Sequence, residues 1–338
     1  SRMTSPRECP NSLLATQIVS RVREQLNVDI ALVEIFNQPT IATLAVVIGE
    51  SDAASEDNII EPAIRGENMP LSFSQQRLWF INQMDPNNTA YNSPWPIRLE
   101  GKLNTDVLQE AINYSVARHE ILRTTYASKR GKPQQLISPN ARIQLQVEEM
   151  PGASEAELQE RISTIAHEAF NLATGPLMRT YILRYADDAQ VLFMMSHHIN
   201  TDAWSNAVLL KELSSSYNAL INDTQPSLPA LDVQYADYAV WQRNWMKGEH
   251  RQEQLDYWTR QLSGAPDQLG MPTDKPRPAV QTYAGAFENR LLSKDLLKDL
   301  QRIALENETT LFMLLLAAFN VLLSVQARQE DVVIGTHI

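Results

Sequence analysis

The chain has 338 residues, which suggests about two domains at roughly 100–200 residues each; with 43% hydrophobic and 20% charged residues it is not collagenous, disulfide-stapled or broadly disordered. Its 29 basic and 40 acidic residues leave a formal net charge of −11, which argues against a general nucleic-acid surface and against a site on anionic lipid membrane. Residues 1–10 are polar and do not read as a signal peptide, the longest apolar run is too short to span a bilayer, and the single cysteine, Cys9, allows no internal disulfide, so a reducing, cytoplasmic setting is expected.

Residues 12–26 place Leu14, Ile18, Val22 and Leu26 at helical spacing, with Asn11 and Ser12 where an N-cap belongs. A further helix is predicted after Thr40, stopped by Gly49. Two or three short helices over residues 1–50 make a very small unit, marginal by itself. Residues 51–68 turn polar and acidic, with Pro62 and Gly66, and read as a linker. Beyond Met69, helices are predicted over 74–84, 104–119, 155–170 and 202–221, and strands over 95–99, 179–185 and 190–197. In the last strand Val191, Phe193 and Met195 alternate with Leu192, Met194 and Ser196. Both faces are apolar, so this strand is expected to be central and covered on both sides. Residues 263–285 are rich in Gly, Pro and Thr and read as a crossover; helices follow over 294–306 and 310–325, and a strand is expected to begin at Asp331–Gly335. A buried strand needs neighbours for its N–H and C=O groups, so the chain reads as cut in mid-domain. Strands and helices mixed in this order predict an α/β or α+β layered fold.

The sharpest chemical feature is Ser196–Ser205, SHHINTDAWS. Two histidines end the central strand, Asp202 stands four residues after the second, and a helix follows. A strand-to-helix turn projects side chains from a rigid scaffold. Histidine suits acid–base work near neutral pH. Asp202 can fix a tautomer, or can pair with an arginine and hold the loop. A hydrogen-bonded core pair explains the two histidines equally well. A metal site is the weaker reading, because successive strand residues face opposite sides and no Cys–His cluster adds ligands. The same opposite facing lets one imidazole enter a cleft while the other anchors the core.

Other segments have simpler explanations when taken singly. Arg118–Tyr126, RHEILRTTY, reads as a helix C-terminus whose cations favour the dipole. The aromatic stripe Tyr235–Trp241, YADYAVW, reads as core packing. Ser12 is an N-cap, or a modified serine at a helix start where a phosphate is welcome.

Together, Leu71–Ile81 (LSFSQQRLWFI), RHEILRTTY, SHHINTDAWS, YADYAVW and Asp331–Thr336 (DVVIGT) strongly resemble, in this order, the condensation domains of nonribosomal peptide synthetases, whose active-site pattern is HHxxxDG. The match runs from about Met69 to Ile338. Residues 9–49 resemble the second half of a peptidyl carrier protein, whose attachment motif reads like GGxSL and stands here as Cys9-Pro10-Asn11-Ser12-Leu13.

The resemblance implies a chloramphenicol acetyltransferase-like fold: a partial carrier over residues 1–50, a linker over 51–68, an N-terminal lobe over 69–262, and the crossover and start of a C-terminal lobe over 263–338. It implies amide formation, in which the amine of an acceptor aminoacyl thioester attacks the thioester of a donor aminoacyl or peptidyl chain. The implied cofactor is 4'-phosphopantetheine, attached at Ser12, with no metal. The implied partners are an upstream donor and a downstream acceptor carrier protein and an adjacent adenylation domain. On this reading His198 is the catalytic residue, as base or as hydrogen-bonding stabiliser of an amine whose pKa is about 8. His197 and Asp202 are structural, Asp202 through an ion pair for which Arg123 or Arg118 is the candidate. A carrier directly upstream implies an L-configured donor terminus.

Three departures from the family pattern stand in the sequence. Ala203 replaces the motif's glycine, which strains the backbone if φ is positive there and narrows the tunnel if glycine only provides room. The attachment motif lacks both glycines. His337 stands where the family commonly has proline, and a chain cut in mid-domain is expected to turn over poorly. Two other functions compete: a non-catalytic platform of the same fold that recruits carriers or tailoring enzymes, and an acyltransferase using coenzyme A, against which the carrier segment and linker weigh.

Overall fold

A computed structural model describes residues 12–38, 40–51, 59–66, 69–129, 131–276, 278–279, 288–307 and 309–336. The chain divides into two compact units, one formed by residues 1–59 and 252–338, the other by residues 60–251. Cys9 and His337 lie outside the described residues.

The N-terminal segment holds α1 (Ser12–Leu26), α2 (Leu32–Asn37) and α3 (Ile41–Glu50). Thr40 caps α3, its hydroxyl accepting from the Thr43 N–H at 3.2 Å, as its position before an apolar run predicts. Ala15, Val22, Ile30 and Ile35 form a small core, with Val19, Leu44 and Val47 packed against it.

Residues 60–251 build two sheets. The larger contains β2 (Asn92–Glu100), β5 (Leu145–Glu149), β6 (Met178–Ala186) and β7 (Ala189–His197), in the order β2-β7-β6-β5. Pairs β2/β7 and β6/β7 are antiparallel, and β5/β6 is parallel. The smaller sheet, all antiparallel, sets β1 (Met69–Pro70), β4 (Lys132–Ile137) and β3 (Thr124–Lys129) side by side. Helices α4 (Phe73–Met84), α5 (Thr105–Arg118), α6 (Glu155–Ala166), α7 (Ala203–Leu220) and α8 (Tyr235–Trp245) complete the unit, with a 3-10 turn at Glu120–Arg123. Mixed sheets with helices are the layered architecture the element order predicts.

Strand β7 is central, and its two faces feed two cores. Val191, Phe193 and Met195 pack with Leu158, Ile162 and Ile165 of α6 and Leu78 of α4. Leu192 and Met194 pack with Leu108, Ile112 and Val116 of α5 and Leu209 and Leu213 of α7. Period-two alternation with both faces apolar is what a strand covered on both sides requires. Each such side chain removed from water contributes about 1.5–3 kcal/mol. Gly175, at φ +58°, leads into β6, and a Cβ there would lie 2.8 Å from Thr125 Cγ2, so only glycine fits.

The chain enters this unit through a strap, residues 60–66. The Ala63 N–H donates to Asp237 Oδ1 at 2.8 Å. The Arg65 guanidinium bonds both Asp237 oxygens and also reaches Glu120 Oε2 at 2.8 Å. Burial pushes the Asp237 carboxyl up, but Arg65 and the Ala63 and Gln234 N–H groups outweigh it and hold the carboxyl below its usual range.

After α9 (Glu249–Gln261), α10 (Lys294–Glu306) and α11 (Leu311–Ala327) form where helices are predicted. Three expectations are corrected. The helix begun at Glu155 ends at Ala166, because residues 167–170 leave it to bring Phe170 into the core beside His197. Residues 331–336 form no strand, since among the described residues no neighbouring strand takes up their backbone groups. The buried positions of α8 are Ala236, Asp237 and Ala239, while Tyr235, Tyr238, Trp241 and Trp245 run along it half-buried. Among the described residues no single helix is long and apolar enough to cross a membrane.

Candidate active site

The end of β7 and the start of α7 position the site. Sheet pairing runs to His197, which faces Asn92 of β2. His197 lies 2% exposed between Tyr91 and Phe170, ring centroids 6.5 and 6.2 Å away. Its N–H donates to Leu177 O at 3.0 Å, and its Nδ1 accepts from the Ile199 N–H at 3.1 Å. Burial first, and the neighbouring His198 second, push its pKa down to about 4. The ring is therefore neutral at physiological pH, with its proton on Nε2.

His198 is placed differently. Its N–H donates to Tyr91 O at 2.8 Å, which fixes the backbone. Its side chain is exposed, and no hydrogen bond holds the ring among the described residues. Strand geometry separates the two imidazoles, one into the core and one outward. The opposite facing expected from the sequence is the one the fold adopts.

The turn is held by short bonds. Asn200 N–H donates to His197 O at 2.9 Å, and the hydroxyls of Ser196 and Thr201 bond each other. Asp202 caps α7: the Ser205 N–H donates to Asp202 Oδ1 at 2.7 Å, and the Asp202 N–H donates to Ser205 Oγ at 2.7 Å. The carboxylate thus serves the positive end of a helix.

The expected ion pair between Asp202 and Arg118 or Arg123 is not formed. Arg118 lies 3.3 Å from both oxygens of Glu212, which His119 Nε2 also meets at 2.6 Å. Arg123 donates to Ser138 O at 2.7 Å and sits 4.0 Å from Glu120. Each arginine is taken by another acceptor, and the N-terminus of α7 occupies Asp202. Ala203 is the first residue of α7 and is not among the positive-φ residues, so its methyl strains nothing. Ser12 opens α1 at its N-terminus.

Sequence reasoning did not single out Glu212, Gln75 or Asn200. Asn200 lies inside SHHINTDAWS and Gln75 inside LSFSQQRLWFI, but no local pattern marks either as a buried hydrogen-bonding residue. Two shallow concavities lie away from this turn, one lined by Arg65, Met69 and Gln135, the other by Leu103, Asn104 and Tyr217. Among the described residues no group of three or more His, Cys, Asp or Glu is placed to hold a metal ion.

Known proteins match in both sequence and fold. A family model described as "Condensation domain" matches residues 66–338, and one described as "Phosphopantetheine attachment site" matches residues 11–48. A linear gramicidin synthase of Brevibacillus parabrevis is 41% identical over 330 residues, 96% of this chain and 6% of that protein. Malpinin synthetase of Mortierella alpina is 36% identical over 330 residues, 96% of this chain and 4% of that protein. The chain therefore spans a small fraction of the curated relatives it matches. The X-domain from teicoplanin biosynthesis superposes with a TM-score of 0.72 at 26% identity, covering 79% of this chain and 59% of that one. The same X-domain in complex with OxyB gives a TM-score of 0.71 at 26% identity, covering 81% and 60%.

Proposed function

Because the chain belongs to the condensation-domain family, with a phosphopantetheine attachment segment ahead of it, we propose that it forms an amide bond between a donor aminoacyl or peptidyl thioester and the amine of an acceptor aminoacyl thioester. The observation that carries this reading is the exposed imidazole of His198 on a turn whose backbone is tied at both ends.

The chemistry needs little from the protein beyond placement. A thioester is already activated, so holding the amine against its carbonyl carbon supplies much of the acceleration. The new C–N bond forms as the C–S bond breaks, and the amine proton leaves toward the imidazole and then the departing thiolate. An α-amine with a pKa of about 8 must be held in its free form. His198 accepts the amine N–H and orients the lone pair. His197, whose pKa burial pushes down to about 4, stays neutral beside that ring. Asp202 and Ala203 fix where α7 starts and so where the turn ends.

The N-terminal segment fits its family model. Ser12 stands at the N-terminus of a 15-residue helix whose first turn has no acidic residue, a setting that favours a phosphodiester. There Ser12 would hold phosphopantetheine, which when bound supplies the thiol that carries the acyl group. The partners on this reading are donor and acceptor carrier proteins and an adenylation domain, in a cytoplasmic synthetase. The donor terminus is L-configured, because the attachment segment directly precedes the condensation domain. The test loads both carriers of the full-length protein and follows donor-to-acceptor transfer by mass spectrometry, wild type against His198→Ala. Equal product from both would end the assignment.

A second reading, a recruiting platform without condensation activity, is favoured by the likeness to the X-domain solved with OxyB. It expects the wild type to be inactive and Ala203→Gly to gain transfer. Transfer by the wild-type protein removes it.

A further inference from the structure

Gln75, Tyr126 and Asn200 form a buried polar chain beneath the His198 turn. Their exposures are 1%, 1% and 7%. The Tyr126 hydroxyl donates to Asn200 Oδ1 at 2.6 Å and accepts from Gln75 Nε2 at 2.8 Å. Asn200 Nδ2 donates to Ile121 O at 2.7 Å and to Thr124 O at 3.2 Å. Gln75 Oε1 accepts from the Ser72 N–H at 3.0 Å, closing the cap of α4. One side chain of the turn thereby reaches α4, β3 and the 3-10 turn at once. The Tyr126 hydroxyl also lies 3.4 Å from Ile199 O, and the turn's bonds to Leu177, Tyr91, Ser196 and Ser205 are made by backbone atoms or stay within the β7–α7 connection.

A polar chain of this kind costs stability unless every member is satisfied, and here each member is bonded to the next and to backbone carbonyls. What the chain supplies is placement. The His198 ring has no hydrogen bond of its own among the described residues, so its position is set by the backbone that carries it. We propose that Tyr126 and Asn200 are positioning residues that hold the turn after β7, and through it the imidazole of His198, in place. This rests on His198 being the working residue. Burial pushes the Tyr126 phenol well above its usual range, so the hydroxyl stays a donor through the whole working pH range.

The test is a double-mutant cycle of Tyr126→Phe and Asn200→Leu, read in two ways. In the 338-residue chain, nitrogen–proton NMR of the imidazoles reports the His198 ring, assigned through His198→Gln. In the full-length protein, transfer kinetics report kcat and KM separately. Tyr126→Phe is expected to shift the His198 resonances while leaving those of His197 unmoved, and to lower kcat about tenfold at constant KM. Adding Tyr126→Phe to Asn200→Leu should lower kcat by less than Tyr126→Phe alone does, because the Tyr126–Asn200 bond is already gone while the bond to Gln75 remains to be lost. Tyr126→Phe with a lower melting temperature but unmoved His198 resonances and full kcat would overturn the proposal. If His198→Ala leaves transfer intact, the functional reading fails, while the resonance shift still judges the placement. Should the variants fold poorly, hydrogen exchange of the wild type decides: the Asn200 amide should exchange as slowly as that of Met195, and unprotected exchange would contradict the proposal.

Discussion

Strand β7 and helix α11 are both rich in apolar residues, yet they are treated differently by the fold. In β7 every residue from Gln190 to His197 is buried, and alternate side chains feed two separate cores. In α11 Phe312, Met313, Phe319 and Val325 are exposed by 60%, 56%, 48% and 67%. The apolar residues of β7 make two cores because helices of the same unit cover both of its faces. The layered unit of residues 60–251 contains the elements that cover its own sheet, which is why a turn at its edge can be held still enough to present His198.

That contrast can be broken most sharply in β7. Phe193→Ala should lower unfolding stability by about 3–5 kcal/mol, measured by urea denaturation, because it leaves a cavity between α4, α6 and the sheet. In the 338-residue chain Phe319→Ala, at a side chain 48% exposed, should cost clearly less than Phe193→Ala, and an equal loss at both sites would refute the comparison.

The buried histidine gives the next largest effect. His197 titrates at about 4 in the fold, against 6.5 for an exposed imidazole. Above pH 6.5 both states are neutral and the full stability is present. As pH falls from 6.5 toward 4, the unfolded state takes up a proton that the fold refuses, and about 3 kcal/mol is lost. Unfolding measured over that window should show this slope, and His197→Gln should flatten it.

The strap comes third. Arg65→Ala leaves the Asp237 carboxylate, 1% exposed, with only the Ala63 and Gln234 N–H groups and should cost about 2 kcal/mol. Arg65→Lys should recover only part of the loss, because one ammonium cannot span Asp237 and Glu120 as the guanidinium does. The cap of α5 comes last. The Asn104 side chain accepts from the N–H groups of Asp106 and Val107, and Asn104→Ala should cost about 1 kcal/mol by thermal melts.

Much of this was legible in the residues. Alternation from Val191 to Ser196 gave away a strand covered on both faces, and the histidine doublet gave away the opposite facing of its rings. The cap at Thr40 stands where a threonine precedes helical spacing. Partner choice was not legible. Asp202 offered a carboxylate and Arg118 and Arg123 offered cations, but only the fold shows that Glu212 on α7 is nearer Arg118 and that α7 itself claims Asp202. The strap was read as linker because nothing in residues 60–66 announces that Asp237, 172 positions from Arg65, waits to receive it. Pairings at such separations depend on topology, which local patterns do not encode.

The central claim is that two adjacent histidines divide labour, one holding the core and one meeting the substrate. It is tested most directly by measuring single-turnover transfer and melting temperature together in His198→Gln and His197→Gln of the full-length protein. The account predicts that His198→Gln keeps the melting temperature and loses transfer by about 10²–10⁴-fold, while His197→Gln loses melting temperature first. Undiminished transfer in a folded His198→Gln protein would contradict it.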